Sequence, residues 1–156
     1  MLRLICSLFL AATSLGAKAW TVESLNGKAP TYFGASCYSA ALVGKGFIDY
    51  VDFVSARELR FYLENFCKPH QGKWQPGDLL SLGEPPNKNI EPWIDHIAIY
   101  LGDDTVFEKE LAEGTYKPEN PKEDPRFRIR TFRSSVWFMH YEVDGRVITT
   151  YRCQSA

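Results

Sequence analysis

The sequence predicts an α+β fold in which two N-terminal helices pack on an antiparallel sheet of about five or six strands. Two capped helical patterns occupy the first half of the chain, one beginning near Ser36 and the other near Ser55. After Gln75-Pro76-Gly77 the chain becomes rich in strand-forming residues separated by turn signals. Helices followed by a run of hairpin-connected strands are typical of the α+β class.

The first nineteen residues have the pattern of an export signal. Arg3 supplies a basic start, residues 4–12 form an apolar stretch, and residues 17–19 (Ala-Lys-Ala) suit a signal peptidase. The apolar stretch is far shorter than the roughly 20 residues needed to span a bilayer. We therefore expect residues 1–19 to be removed. Residues 20–156 would then form a single periplasmic or secreted domain with no integral membrane segment.

Charge and composition narrow the class of the mature domain. The whole chain has a net charge of −1, and loss of Arg3 and Lys18 with the leader changes it to −3. Nucleic-acid binding normally requires a clustered basic surface, so no nucleic-acid partner is expected. Aromatic residues make up 14% of the chain. A domain of this length and composition is expected to bury a packed core. We also expect a monomer, although nothing in the sequence reports the oligomeric state.

The first predicted helix begins at Cys37. The preceding segment, Trp20–Phe33, is expected to be irregular because it contains the turn signal Asn26-Gly27. Ser36 can cap the helix, and Gly44-Lys45-Gly46 ends it. One helical face carries only small residues, which would let a sheet approach the helix closely beside the thiol. These residues are Cys37, Ala40, Ala41 and Gly44.

The second predicted helix begins with the capping box formed by Ser55 and Glu58. An apolar stripe follows at helical spacing and predicts core packing rather than a cofactor site. The stripe consists of Leu59, Tyr62, Leu63 and Phe66. Lys68-Pro69 should end this helix.

Six strands are predicted after the helices. They cover Asp78–Leu82, His96–Leu101, Thr105–Glu110, the region near Phe127–Phe132, Val136–Val143 and Arg146–Arg152. Gly102-Asp103 marks one hairpin, and Asp144-Gly145 is a strong type I′ signal for another. Proline-rich loops precede the second and fourth of these strands.

Cys37 and His96 are the best candidates for chemistry. A thiol at a helix start lies near free backbone N–H groups and the positive end of the helix dipole, which favour the thiolate. His96 shares a strand face with the small Ala98 and could look toward the helix, completing a thiolate–imidazolium pair. Glu108 or Glu110 could orient the imidazole, because the sequence does not fix the register between the His96 strand and the next strand. The alternatives are a buried apolar cysteine, a half-exposed histidine and a solvated charge run.

Cysteine counting predicts one disulfide. Without the leader, three cysteines remain, and three thiols in an oxidising compartment indicate one bridge and one free thiol. Counting alone does not identify the free one. If Cys37 is kept free for chemistry, Cys67 and Cys153 pair and tie the second helix to the last strand. No Cys-x-x-Cys or His-x₃-His spacing occurs, so no structural zinc or other cofactor is expected.

Other candidate residues carry weaker signals. Ser39 lacks the Gly-x-Ser-x-Gly elbow of serine hydrolases. His70 is predicted to be exposed in a loop, and His140 to lie mid-strand for packing or at the surface. Three arginines alternate with apolar residues, which predicts a solvated strand face able to meet an anionic glycan or peptide stem. They are Arg126, Arg128 and Arg130.

The order of these motifs resembles that of the NlpC-type papain-like cell-wall cysteine peptidases and of the related CHAP amidases. Pro76-Gly77-Asp78-Leu79 resembles the family's turn into its first strand, and His96–Gly102 resembles its histidine-bearing strand. The similarity covers roughly residues 31–110. It implies a papain-like fold with Cys37 as nucleophile, His96 as base and Glu108 as the third polar group.

The resemblance implies an exported cysteine hydrolase that cleaves amide bonds in peptidoglycan stem or cross-link peptides without a cofactor. The family usually has Asp-Cys-Ser-Gly at the nucleophile, whereas this chain has Ser36-Cys37-Tyr38-Ser39. That aspartate helps to hold the free stem amine in the endopeptidase branch, so the bond cleaved does not carry over. The alternatives are a catalytically inactive cell-wall-binding or inhibitor module on the same fold, and acyl transfer through the same thiol.

Overall fold

The protein is represented by a computed structural model, which describes residues 21–28, 35–84, 93–109, 126–135, 138 and 145–154. Within these ranges the fold is α+β, with three α-helices and a six-stranded antiparallel sheet, as the sequence predicts at this level. The helices are α1 (Val22–Leu25), α2 (Cys37–Gly44) and α3 (Ala56–Phe66). The strands are β1 (Cys67–His70), β2 (Leu79–Gly83), β3 (Ile94–Gly102), β4 (Thr105–Glu108), β5 (Arg128–Thr131) and β6 (Val147–Cys153). The strand order is β1-β6-β2-β3-β4-β5.

Helix α1 lies in a segment that the sequence predicts to be irregular, so that prediction is wrong for this turn. Thr21 and Ser24 form a reciprocal capping box: Ser24 N donates to Thr21 Oγ1 at 3.1 Å, and Thr21 N donates to Ser24 Oγ at 3.0 Å. Two of the first backbone N–H groups are thereby satisfied locally. The turn signal at Asn26-Gly27 follows the helix and does not prevent it.

Helix α2 begins at Cys37 as predicted. Tyr38 N donates to Ser36 Oγ at 3.2 Å, and Ser36 N donates to Ser39 Oγ at 2.9 Å. The small face of the helix allows close packing on the sheet, as expected. At Gly44 an added Cβ would lie 2.5 Å from Ile99 Cδ1 on β3. The helix therefore approaches β3 so closely that a larger residue at position 44 would require the end of the Ile99 side chain to shift.

Helix α3 also follows its prediction, since Glu58 N donates to Ser55 Oγ at 3.2 Å and Ser55 N donates to Glu58 Oε2 at 2.8 Å. Directly after Phe66 the chain forms strand β1 through Lys68-Pro69. The sequence predicts only a helix end here. Proline is tolerated in β1 because this strand lies at the sheet edge and pairs with β6 alone.

The sheet separates two apolar clusters. Side chains of alternate residues along a strand point to opposite faces. Leu79, Ile97, Ile99 and Phe107 pack with α2 and α3 in the first cluster. The second cluster lies on the other face and contains Leu80, Leu82, Ala98, Val106 and Phe138.

The turn between β3 and β4 forms where Gly102-Asp103 predicts it. Gly102, Asp103 and Asp104 have φ values of 102°, 46° and 59°, so three successive residues adopt the left-handed region. Strand β4 ends at Glu108 rather than at the predicted Glu110, which lies outside the described residues.

Of the predicted C-terminal hairpin, the second strand forms as β6. Of the predicted strand Val136–Val143 only Phe138 is described, and its backbone is helical. Gly145 has a φ of 65°, which suits a turn. However, β6 pairs with β1 and β2, which come much earlier in the sequence. The turn dipeptide signals a reversal of the chain but does not select the strand with which β6 pairs.

Cys67 and Cys153 are Cα partners in the β1–β6 register and form a disulfide across 86 residues of sequence. In the part of the chain that the structure describes, Cys37 is a free cysteine and is buried. The predicted disulfide is therefore confirmed. No helix within the described ranges is long and apolar enough to cross a membrane.

Candidate active site

Cys37 is the first residue of α2, and its side chain lies at the N-terminal end of that helix with 8% of the residue exposed. The capping box of Ser36 and Ser39 fixes the backbone on both sides of it. Ser39 Oγ also donates to the carbonyl oxygen of Asp52 at 2.6 Å. Ser39 is thereby used for structure and anchors the helix start to the loop that follows α2.

His96 and Glu108 form the centre of the site. His96 Nε2 donates to Glu108 Oε2 at 2.7 Å, and both side chains are completely buried. The antiparallel β3–β4 register, in which Tyr100 pairs with Val106, places both on the same face of the sheet. Of the two glutamates left open by the sequence, Glu108 contacts His96. Glu110 lies outside the described residues.

The imidazole also contacts the Cys37 thiol, although the two come from different faces of the sheet. His96 packs against the ring of Phe138 in the second cluster, with ring centroids 5.6 Å apart, whereas Cys37 belongs to the first cluster. His96 thus reaches the start of α2 as expected, but Ala98, which shares its strand face, packs in the second cluster and not against α2. The register slips between Leu82 and Gly83, so Asp95 is an extra residue on β3. Such a bulge twists a strand locally, and here it directly precedes His96.

The imidazole is charged at neutral pH. Burial alone would lower the pKa of His96, but the charge and hydrogen bond of Cys37, together with those of Glu108, outweigh it. The pKa rises from 6.5 to about 9. Because Nε2 is hydrogen-bonded to Glu108, Nδ1 is the ring nitrogen that can exchange a proton with the Cys37 thiol.

Glu108 has two further partners that the sequence does not reveal. Ser135 Oγ donates to Glu108 Oε2 at 2.8 Å, and Arg130 Nε lies 3.3 Å from Oε1. The prediction of a solvated strand face is wrong for Arg130, whose side chain is only 21% exposed. The alternation of arginines in β5 is visible in the sequence. That Glu108 lies beside them follows only from the pairing of β4 with β5.

Two other ionisable groups lie near the thiol. Lys109 is 1% exposed, and burial lowers its pKa to about 8 against the opposing effect of the charge of Cys37. Burial raises the pKa of Tyr38 to about 12, with added contributions from Cys37 and Asp95. The Tyr38 hydroxyl donates to the carbonyl oxygen of Ile94. The alternative of a solvated Glu-Lys-Glu run is thus wrong for Glu108 and Lys109.

The remaining candidates lie apart from this site. His70 is in β1 rather than in the predicted loop, and its Nε2 lies 3.5 Å from the carbonyl oxygen of Lys73. His140 is outside the described residues. Among the residues that are described, no group of three or more His, Cys, Asp or Glu could hold a metal ion.

In comparisons with known proteins, no family model, no curated protein and no solved structure matches this chain. The reactions that this site could catalyse are therefore inferred from its own geometry. A helix-start thiol, a buried imidazolium and a buried carboxylate in contact are the groups that nucleophilic catalysis by cysteine requires.

Proposed function

We propose that this protein is an exported cysteine hydrolase with a papain-like fold of the NlpC type, which cleaves amide bonds in peptidoglycan stem or cross-link peptides. One observation supports the chemistry most strongly. The Cys37 thiol contacts a buried His96, whose Nε2 donates to Glu108 at 2.7 Å. The disulfide between Cys67 and Cys153 supports export, since disulfides persist in oxidising compartments.

In the first step the Cys37 thiolate attacks the carbonyl carbon of the amide and forms an S–C bond. The carbonyl electrons move to oxygen, and the backbone N–H of Cys37 donates to the resulting oxyanion. Collapse of this intermediate breaks the C–N bond. His96, protonated at neutral pH, gives its proton to the leaving amine.

In the second step a water molecule gives a proton to the neutral His96 and attacks the thioester. The S–C bond breaks, so the product is a carboxylic acid and Cys37 leaves as the thiolate. The imidazolium is restored at the same time. Glu108 holds Nε2–H throughout, which fixes the tautomer and orientation of the ring.

The substrate class rests on the resemblance of residues 31–110 to the cell-wall peptidases. Ser36 stands where that family usually has an aspartate, and here its side chain caps α2 instead. The proposed substrate class is therefore the amide bonds of peptidoglycan peptides, with no single bond assigned.

A second candidate function is a cell-wall-binding or inhibitor module on the same fold. The low exposure of Cys37 favours it, because a substrate carbonyl must reach the sulfur and only 8% of this residue is accessible. The two candidates share the fold and differ in whether the thiol reacts.

Incubation of purified protein with isolated sacculi tests the proposal. We expect soluble fragments with new amino and carboxyl termini from the wild type, and none from Cys37→Ala or His96→Gln. His70→Gln is the matched control, since this histidine lies in β1 away from the site, and it should release fragments normally. Binding to sacculi without release, unchanged in Cys37→Ala, would instead support the module.

A further inference from the structure

The Glu108 carboxylate is fully buried and has partners on both oxygens. Oε2 accepts from His96 at 2.7 Å and from Ser135 Oγ at 2.8 Å. Oε1 lies 3.3 Å from Arg130 Nε. A carboxylate removed from water is costly unless charged and hydrogen-bonding partners compensate. Arg130 is the cation that compensates on the side away from His96.

The site is thus a row of alternating charges. The order is Arg130 (positive), Glu108 (negative), His96 (positive) and, as the thiolate, Cys37 (negative). Arg130 is the most exposed member, since its side chain is 21% accessible, whereas Cys37 is 8% exposed and the side chains of Glu108 and His96 are fully buried. The row is balanced only while Arg130 is present.

We propose that Arg130 is a positioning residue of this site, which holds Glu108 turned so that Oε2 faces His96. The inference rests on the proposed cysteine chemistry and extends it to a residue that touches neither the thiol nor a substrate. Ser135 supports the same arrangement by sharing Oε2 with the imidazole.

The direction of the effect follows from charge. Without Arg130 the remaining row carries a net negative charge and binds a proton more tightly, so the thiolate forms at higher pH. Lys109 and Tyr38, the other ionisable groups near the thiol, are unchanged by the substitution, as is Asp95, which interacts with Tyr38. They act equally in all variants at position 130.

The rate of Cys37 alkylation by iodoacetamide measures this without a substrate. We expect Arg130→Gln to raise the pH midpoint of the rate by about one unit, which lowers the rate roughly tenfold at any pH below both midpoints. Arg130→Lys should restore most of the rate, because it keeps the charge. Arg133→Gln is the matched control, since that arginine is 91% exposed, and should leave the profile unchanged. Mass spectrometry of the Cys37 peptide gives the rate for this thiol alone.

A second pair of variants tests whether Arg130 acts through Glu108. In the Glu108→Gln background, Arg130→Gln should change the profile less than twofold at any pH. This comparison remains informative if Arg130→Gln alone does not fold, because the double variant removes both buried charges together. A further upward shift of the midpoint in the double variant would overturn the proposal, since Arg130 would then act as a distant charge.

His96→Gln separates this inference from the proposed function. If His96→Gln and wild type have the same profile, the thiol–imidazole pair is absent and the proposed function fails with it. If His96→Gln shifts the profile and Arg130→Gln does not, only the role of Arg130 is rejected.

Discussion

Lys109 is a buried lysine beside a thiol, and the two groups influence each other. The negative charge of Cys37 raises the pKa of Lys109 against burial, which lowers it to about 8. Such coupling is mutual, so the Lys109 ammonium must favour the Cys37 thiolate. Lys109 is therefore a second cation beside the thiol, although it lies one residue beyond β4 and is not part of the predicted triad.

Lys109→Met should slow the alkylation of Cys37 at pH 7 about threefold, because one cation near the thiolate is lost. The same variant should be at least as stable as wild type in urea, since an apolar side chain of similar size has no buried charge to desolvate. Lys73→Met, at an exposed position, is the control and should change neither quantity. A Lys109→Met protein that reacts like wild type would show that the ammonium does not act on the thiol.

At the scale of single elements, α2 depends on its close contact with β3. Gly44→Ala would place a Cβ 2.5 Å from Ile99 Cδ1 and 3.3 Å from Phe107 Cε1. Alanine is favoured over glycine in a helix by about 1 kcal/mol. Overpacking of this kind costs about 1–3 kcal/mol, so we expect a net loss of stability in urea denaturation.

Ile99→Val removes the Cδ1 atom that the new Cβ would meet, so it provides a matched test of this contact. Gly44→Ala combined with Ile99→Val should recover much of the stability lost in Gly44→Ala alone. If Gly44→Ala is as stable as wild type, α2 can move away from β3 without cost. The small helical face would then not set their distance.

Helices α2 and α3 could be predicted because their signals are local. The capping boxes at Ser36 and Ser55 satisfy N–H groups within a few residues, and both helices begin where these residues indicate. Strand β1 could not be predicted in the same way. Lys68-Pro69 disfavours a strand by its own composition, and it forms one because β6, more than 80 residues later, pairs with it.

In the candidate site, too, some residues can be recognised from local sequence and others only from strand pairing. Cys37 and His96 stand out in the sequence through the helix start and the strand pattern, and Glu108 through its place on the following strand. Arg130 and Ser135 become visible only when β5 and the turn after it are placed beside β4. Register is set by packing of the whole sheet, and a slip of one residue would reverse which side chains face His96.

For the whole molecule, the charged pair at its centre predicts a pH dependence of stability. His96 has a pKa raised from 6.5 to about 9, so its contribution is fully present below pH 6.5 and is lost as the pH rises through about 9. The free energy of unfolding should therefore decrease over this window by up to about 3 kcal/mol. Lys109 acts in the opposite direction between about pH 8 and 10.5, because its pKa is lowered.

Urea denaturation of wild type and His96→Gln at pH 6, 7.5 and 9 checks this dependence. The difference in unfolding free energy between the two proteins cancels the Lys109 contribution and should become smaller as the pH rises. A difference that stays constant from pH 6 to 9 would mean that His96 does not change its charge on unfolding in this range.

The strand order has a consequence for how the chain matures. β6 is the last strand in the sequence, yet it lies between β1 and β2, which come among the first. While the chain is being synthesised, β2, β3 and β4 can assemble as soon as they emerge, but among the described strands β1 has no partner until β6 arrives. The sheet is thus completed when β6 inserts between β1 and β2. Pairing between strands so distant in sequence is slow. During that interval Cys67 is without its partner and Cys37 is already present, so the order of emergence, and not only the final geometry, decides which thiols meet an oxidant first.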